Sequence, residues 1–165
     1  MDPDPTKPAQ MAVLDRRRIE AMVLGPMLRA FQAEFGVEKT NEIAATVITQ
    51  LARDQGAEFA KGIGANGLED YAANKEAWRR HGALEVEVIE SDAERYSFDV
   101  TRCKYAEMYT ELGYSDLGAI FSCTRDFEFV AGFNPNVNLE RTQTIMQGAS
   151  HCDFRYSMSK PGTRK

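Results

Sequence analysis

The chain has 165 residues, of which 43% are hydrophobic and 27% charged, with a formal net charge of -5. That length suits one domain able to bury about two-thirds of its unfolded surface without disulfides or a structural metal, and the acidic balance repels phosphate backbones. No window approaches the roughly 18 apolar residues of a membrane span, so neither nucleic acid nor a bilayer is an expected partner.

The amino terminus, MDPDPTKPAQ, is acidic and proline-rich with no apolar run behind it. Residues 1–9 are therefore expected to be a disordered leader, not a secretory or transit signal. An odd number of cysteines in such a sequence predicts reduced thiols and a cytoplasmic location. One α+β domain is expected over 10–158, with a flexible tail at 159–165.

The first half reads helical. Over 10–35 the apolar side chains of Ile19, Met22, Val23, Met27, Ala30, Phe31 and Phe35 recur at helical spacing, which predicts a core-facing stripe with a kink at Gly25-Pro26 and a stop at Gly36. The run Arg16-Arg17-Arg18 on this helix reads as a solvated face, not an anion site. Over 39–60 a second stripe carries Ile43, Ala44, Val47, Ile48, Leu51 and Phe59, and the two helices are expected to pair as a core wall. The glycine-rich GIGANG that follows has no strand before it, so it is not a dinucleotide fingerprint. A shorter helical stretch then carries Leu68, Tyr71, Ala72 and Trp78.

At Gly82 the period changes to two. Strands are expected at 84–89 and 96–101, around a turn near Ser91-Asp92. A helix is expected from Lys104 to Leu112, and Ser115 is placed to cap a short helical turn reaching Phe121. Alternation returns at 138–146 and 152–158, with Gly148 in the connecting turn. The architecture implied is α+β, an antiparallel sheet of about four strands with one face against helices.

On the last strand Cys152, Phe154, Tyr156 and Met158 share one face, and Asp153, Arg155 and Ser157 the other. Cys152 thus belongs to the buried face, where a free thiol behaves as a small hydrophobe. Cys103 precedes a helix, whose positive end favours thiolate. Glu107, one turn further, is a candidate proton carrier that would also oppose thiolate formation by like-charge repulsion. Cys103 therefore ranks first as nucleophile, Cys123 second and Cys152 third.

The ordered set CKYAEMYTELG from Cys103, CTRD from Cys123, GFNPN from Gly132, LERTQT from Leu139, Gly148 and CDFRY from Cys152 resembles the L-2-amino-thiazoline-4-carboxylic acid hydrolase family. The resemblance covers about the last third of the chain. It implies hydrolysis of a carbon-nitrogen bond in a small cyclic amidine, a ring opening that for the named substrate yields N-carbamoyl-cysteine, with Cys103, Cys123 and Cys152 converging on one pocket. A thiolate could attack the amidine carbon with His151 or a carboxylate moving protons. Alternatively Asp126 or Asp153 could activate water. A substrate carboxylate calls for a cation, and Arg141 or Arg155 could supply it.

Plainer roles compete for several of these residues. Arg141 also fits a cross-strand ion pair, Tyr105 and Tyr109 fit core and rim positions, and Asn134 fits turn duty; all remain candidate substrate contacts together with Asp153. His151 faces away from Cys152 on the strand, so if it acts it reaches another cysteine. Three cysteines and a histidine could in number bind zinc, but they lack the paired short spacings of such sites, and no metal or cofactor is implied. The alternative to a hydrolase is a non-catalytic small-ligand or sensor module using the same pocket. A small molecule is the expected partner, and the sequence leaves a homo-oligomer open.

Overall fold

The structure, a computed structural model, describes residues 11–159; the expected leader at 1–9 lies outside the described residues, as does the expected tail beyond Ser159. Helix α1 (Val13–Phe35) runs on through Pro26 and ends at Gly36, whose φ of +86° suits only glycine. Helix α2 (Val37–Ile63) begins directly after that turn. Short helices α3 (Leu68–Ala73) and α4 (Glu76–Arg79) lead to a hairpin of β1 (Leu84–Ser91) and β2 (Arg95–Cys103). Then come α5 (Lys104–Glu111), α6 (Ser115–Gly118), a wide π-helical turn over Ala119–Cys123, α7 (Arg125–Phe133), β3 (Val137–Glu140) and β4 (Cys152–Met158).

The strands form one antiparallel sheet in the order β1-β2-β4-β3. Alternation along β2 buries Tyr96, Phe98 and Val100, and β4 presents Cys152 opposite Val100 and Tyr156 opposite Tyr96. Together with Leu68, Tyr71, Val130 and Phe133 they make a core between sheet and helices. A second core, including Ala21, Ile48, Tyr109 and Leu117, lies among the helices. Cys103 and Leu84 pack against both.

The strand expected at 138–146 is shorter than its alternation suggests. Beyond Glu140, the carboxylate of Asp153 accepts the amides of Thr142 and Gln143, each at 2.9 Å, and the Thr142 hydroxyl at 2.6 Å. A side chain thus takes donors that a strand would have given to the ladder, and residues 141–144 leave the sheet before a 3-10 turn at Ile145–Gln147. Ser115 does not cap α6; it is the first helical residue, and its hydroxyl meets Thr110 Oγ1 at 3.3 Å.

Helix α2 packs most extensively against α7. The reason is two glycines: a Cβ on Gly56 would collide with the Phe129 carbonyl, and one on Gly132 with the Arg53 carbonyl. Only hydrogen at both positions lets the backbones approach this closely, and that approach carries Arg125, Asp126 and Phe129 of α7 toward Gln55 and Phe59 of α2.

The apolar stripes expected to face the core do so only in part: Ala44 and Ile48 of α2 are buried and Phe59 packs against the core, but most of the other stripe residues lie outside. Ile19, Met22, Val23, Met27, Phe31 and Phe35 of α1 are 44–65% exposed, and Ile43, Val47 and Leu51 of α2 are 49–54% exposed. The buried lines run through Ala21 and Gly25 on α1 and through Ala44, Ile48, Ala52 and Gly56 on α2, mostly small residues. The basic run is also split. Arg17 lies on the buried line, 6% exposed and bonded to Glu20, while Arg18 reaches Glu111 at the surface.

Candidate functional site

A cavity of about 680 Å³ opens where the two cores meet. It is lined by aromatic and aliphatic side chains from α2, α3, α4 and α7 and from the buried face of the sheet, among them Phe59, Trp78, Val100, Phe129 and Phe154. Set into these walls are Cys103, Cys123 and Cys152, which come from β2, the π-helical turn and β4. The three thiols therefore share one cavity although 49 residues (152 − 103) separate the outermost pair.

Their surroundings hold them protonated. Burial pushes the Cys103 thiol up to about 11, with the amides of Ala106 and Tyr105 opposing the shift and the nearby Cys152 and Asp126 adding to it. Burial and then the Asp126 charge push Cys123 up to about 12. Cys152 is also raised by burial, against the Ile145 amide that donates to its sulfur at 3.2 Å. The start of α5 helps Cys103 in the direction the sequence suggests, but desolvation is the larger effect.

Asp126, at the start of α7, is the carboxylate of this cavity that also senses the thiols. Arg141 donates to its Oδ2 at 2.5 Å and to the Cys123 carbonyl at 2.9 Å. The guanidinium is itself wedged between the rings of Phe127 and Phe154, at 5.0 and 5.1 Å from their centroids. Arg141 is thus no cross-strand ion pair: it stands just past the end of β3 and fixes one carboxylate relative to three thiols.

Four more cations line the cavity, Arg16, Arg17, Lys75 and Arg125. Arg125 is 8% exposed and donates to Gln55 Oε1 at 2.6 Å; no carboxylate among the described residues lies within ion-pair distance of it. Burial, and then the charge of Arg17, depress its pKa to about 10. Lys75 sits over the rings of Tyr71 and Trp78, at 4.3 and 4.4 Å, and donates to the Tyr71 hydroxyl. A smaller cavity of about 170 Å³ adjoins Arg17, Glu20, Tyr109 and Arg125.

Of the other expected site residues only Tyr105 reaches the large cavity, with its hydroxyl donating to the Trp78 carbonyl at 3.1 Å. Tyr109 lines the smaller cavity and bonds Ser122 at 2.9 Å. His151 lies across the sheet, against Gln143 at 3.0 Å and Asp99 at 3.8 Å, and does not meet a cysteine. Arg155 is occupied by Asp99 and by the carbonyls of Phe98 and Phe154. Asp153 anchors residues 142 and 143 as described. Burial tends to raise its pKa, but the Thr142 hydroxyl and the amides of Gln143 and Thr142 prevail and hold it low. Glu107 is held at the surface by Arg102 at 2.8 Å, which lowers its pKa. Asn134 bonds the Asn66 carbonyl and the Asn136 amide, a loop-fixing role.

Sequence reasoning missed Arg17, Arg125 and Lys75. Arg125 stands inside the CTRD segment, beside Asp126. Arg17 is four residues before Ala21 and eight before Gly25, a line of small residues that marks a close-packed face. Nothing local marks Lys75.

Residues 16–156 match the family described as L-2-amino-thiazoline-4-carboxylic acid hydrolase. No curated protein matches the chain. Among solved structures, the fold is similar to a trafficking protein particle complex subunit 3 from Naegleria fowleri covalently bound to palmitic acid, at a TM-score of 0.53 and 12% identity over 88% of this chain and 96% of that one. It is also similar to the phenol-responsive sensory domain of the transcription activator PoxR with phenol, at 0.50 and 12% identity over 82% and 72%. At such identity these likenesses concern the fold alone. No helix among the described residues is long and apolar enough to cross a membrane.

Proposed function

The chain belongs to the L-2-amino-thiazoline-4-carboxylic acid hydrolase family, and from that premise we propose that it is a hydrolase that opens a small cyclic amidine bearing a carboxylate, in the cavity containing Asp126 and the three cysteines. The observation that carries this reading is the meeting in one largely apolar cavity of a clamped carboxylate, three thiols and two cations, Arg125 and Lys75, that have no acidic partner within ion-pair distance among the described residues. Arg125 and Lys75 would hold the substrate carboxylate, in place of the Arg155 that the sequence suggested. A buried guanidinium depressed by desolvation gains most from a bound anion.

Of the two chemistries, protonated thiols favour activation of water by Asp126. Water adds to the amidine carbon, its proton passes to the carboxylate, and the tetrahedral centre collapses. For the ring that names the family, formation of N-carbamoyl-cysteine keeps both nitrogens, so the carbon-oxygen bond forms while the ring carbon-sulfur bond breaks and sulfur leaves as the thiol. With nitrogen in the sulfur position, the same collapse breaks a carbon-nitrogen bond. Arg141 orients the base, and the thiols line the wall against which the ring packs.

The second reading is a small-ligand sensor module, favoured by a cavity much larger than one five-membered ring and by thiols that burial keeps unreactive. The fold's similarity to structures with bound palmitic acid and phenol is consistent with either. Incubation with 2-aminothiazoline-4-carboxylate and with cyclic ureas, lactams and hydantoins, followed by mass spectrometry, separates the two: ring opening supports the hydrolase, and binding without turnover supports the sensor.

A further inference from the structure

We infer that the exposed apolar face of α1 and α2 is the interface of a symmetric homodimer, with a second copy of this chain as its occupant. The face begins at Ile19 and continues through Met22, Val23, Met27 and Phe31 along α1, a helix of about 34 Å at 1.5 Å per residue. Ile43 and Val47 of α2 add to the exposed apolar surface. The two charged side chains of α1 between Ile19 and Ala33 are committed within the chain, Glu20 to Arg17 and Arg29 to Asp116.

The area decides that this is more than ordinary surface. These seven half-exposed side chains at about 100 Å² each leave on the order of 700 Å² of apolar surface bare, whereas the largest patch on a typical monomer is about 300–600 Å². A standard interface removes about 800 Å² from each partner, so the apolar side chains of this face alone supply most of what a stable dimer needs.

The composition favours a second copy over other occupants. A face without free charges has no polar signature with which to select a different protein, and resembles the apolar centre of homodimer interfaces. A helix lying on lipid carries lysines and arginines along its flanks, whereas this chain has a net charge of -5 and Arg17, Arg18 and Arg29 are each bonded to an acid. An isologous contact lets one apolar strip cover its own copy about a twofold axis.

The test is sedimentation equilibrium on the full chain at about 1–100 µM, with a V23E/M27E variant and a V88E control on the exposed part of β1. The wild type and V88E should sediment at twice the chain mass of 18.5 kDa. V23E/M27E should sediment as a monomer with an unchanged far-ultraviolet circular dichroism spectrum. If the double variant fails to fold, the milder I43S/V47S should weaken dimerisation at least tenfold. A wild type that is monomeric at 100 µM overturns the inference, whether or not it co-sediments with phosphatidylcholine vesicles. So does a dimer that survives these substitutions.

Discussion

Arg141 Nη1 meets Asp126 Oδ2 at 2.5 Å, while its other terminal nitrogen holds the Cys123 carbonyl at 2.9 Å. One guanidinium thereby ties a carboxylate and a thiol-bearing turn into a single rigid corner of the cavity. If that carboxylate activates water, Asp126→Asn keeps the shape and one oxygen but removes the base, and kcat should fall by about 100-fold or more. Binding of the ring, followed by calorimetry, should change little.

Cys103→Ser should retain turnover within about threefold, because a thiol raised to about 11 is almost wholly protonated at neutral pH. A rate lost with Cys103 and kept with Asp126→Asn would reverse the two roles.

The thiols also make stability depend on pH. Their folded pKa values lie above the unfolded value of about 8.5, so below that pH both states are protonated and the thiols contribute no pH dependence. As pH rises from about 8.5 toward 11 the unfolded chain releases protons that the folded chain retains, and stability falls. Thermal melts should show Tm dropping across that window, with a shallower drop in Cys103→Ala. Iodoacetamide labelling of native protein should be slow at pH 7 and faster by about tenfold per pH unit, with Cys103 ahead of Cys123.

Arg125→Gln removes a cation that burial disfavours, so the folded protein should be as stable as the wild type or more so. The same change should weaken binding of a ring carboxylate by about 10- to 100-fold, as expected for loss of one charge-assisted hydrogen bond of about 1.5–3 kcal/mol. The ring amide, which lacks the charge, should bind equally well to both proteins. Isothermal titration with the two ligands makes the comparison.

Gly132→Ala forces a methyl into the Arg53 carbonyl and should lower stability by about 1–3 kcal/mol or more, the usual result of overpacking. Because α7 carries Arg125 and Asp126, turnover should fall with it. Chemical denaturation and kcat report the two effects.

Much of the fold is legible in the sequence because alternation is a local signal. The β1-β2 hairpin and β4 follow directly from residues such as Tyr96, Phe98 and Val100. What misleads is hydrophobicity taken as a proxy for burial on helices. Ile19, Met22, Val23, Met27 and Phe31 of α1 lie outside, and the closest packing uses Ala21, Gly25 and Gly56. Helix α7 has no counterpart in the sequence reading, since its packing depends on Gly56 of a distant helix. The convergence of the cysteines follows from the family resemblance, whereas the roles of Asp153 and Arg155 depend on cross-strand and loop partners such as Thr142 and Asp99 that no local pattern announces. Lys75 enters the cavity only through tertiary packing.

The most direct test of the account is a quantitative mass-spectrometric assay of 2-aminothiazoline-4-carboxylate ring opening by the wild type and by Asp126→Asn, with calorimetric binding measured in parallel. The account predicts that both proteins bind the ring and that the wild type alone opens it at an appreciable rate. Binding by the wild type without any opening of this ring or of the related ureas, lactams and hydantoins would contradict it and leave a ligand-binding module.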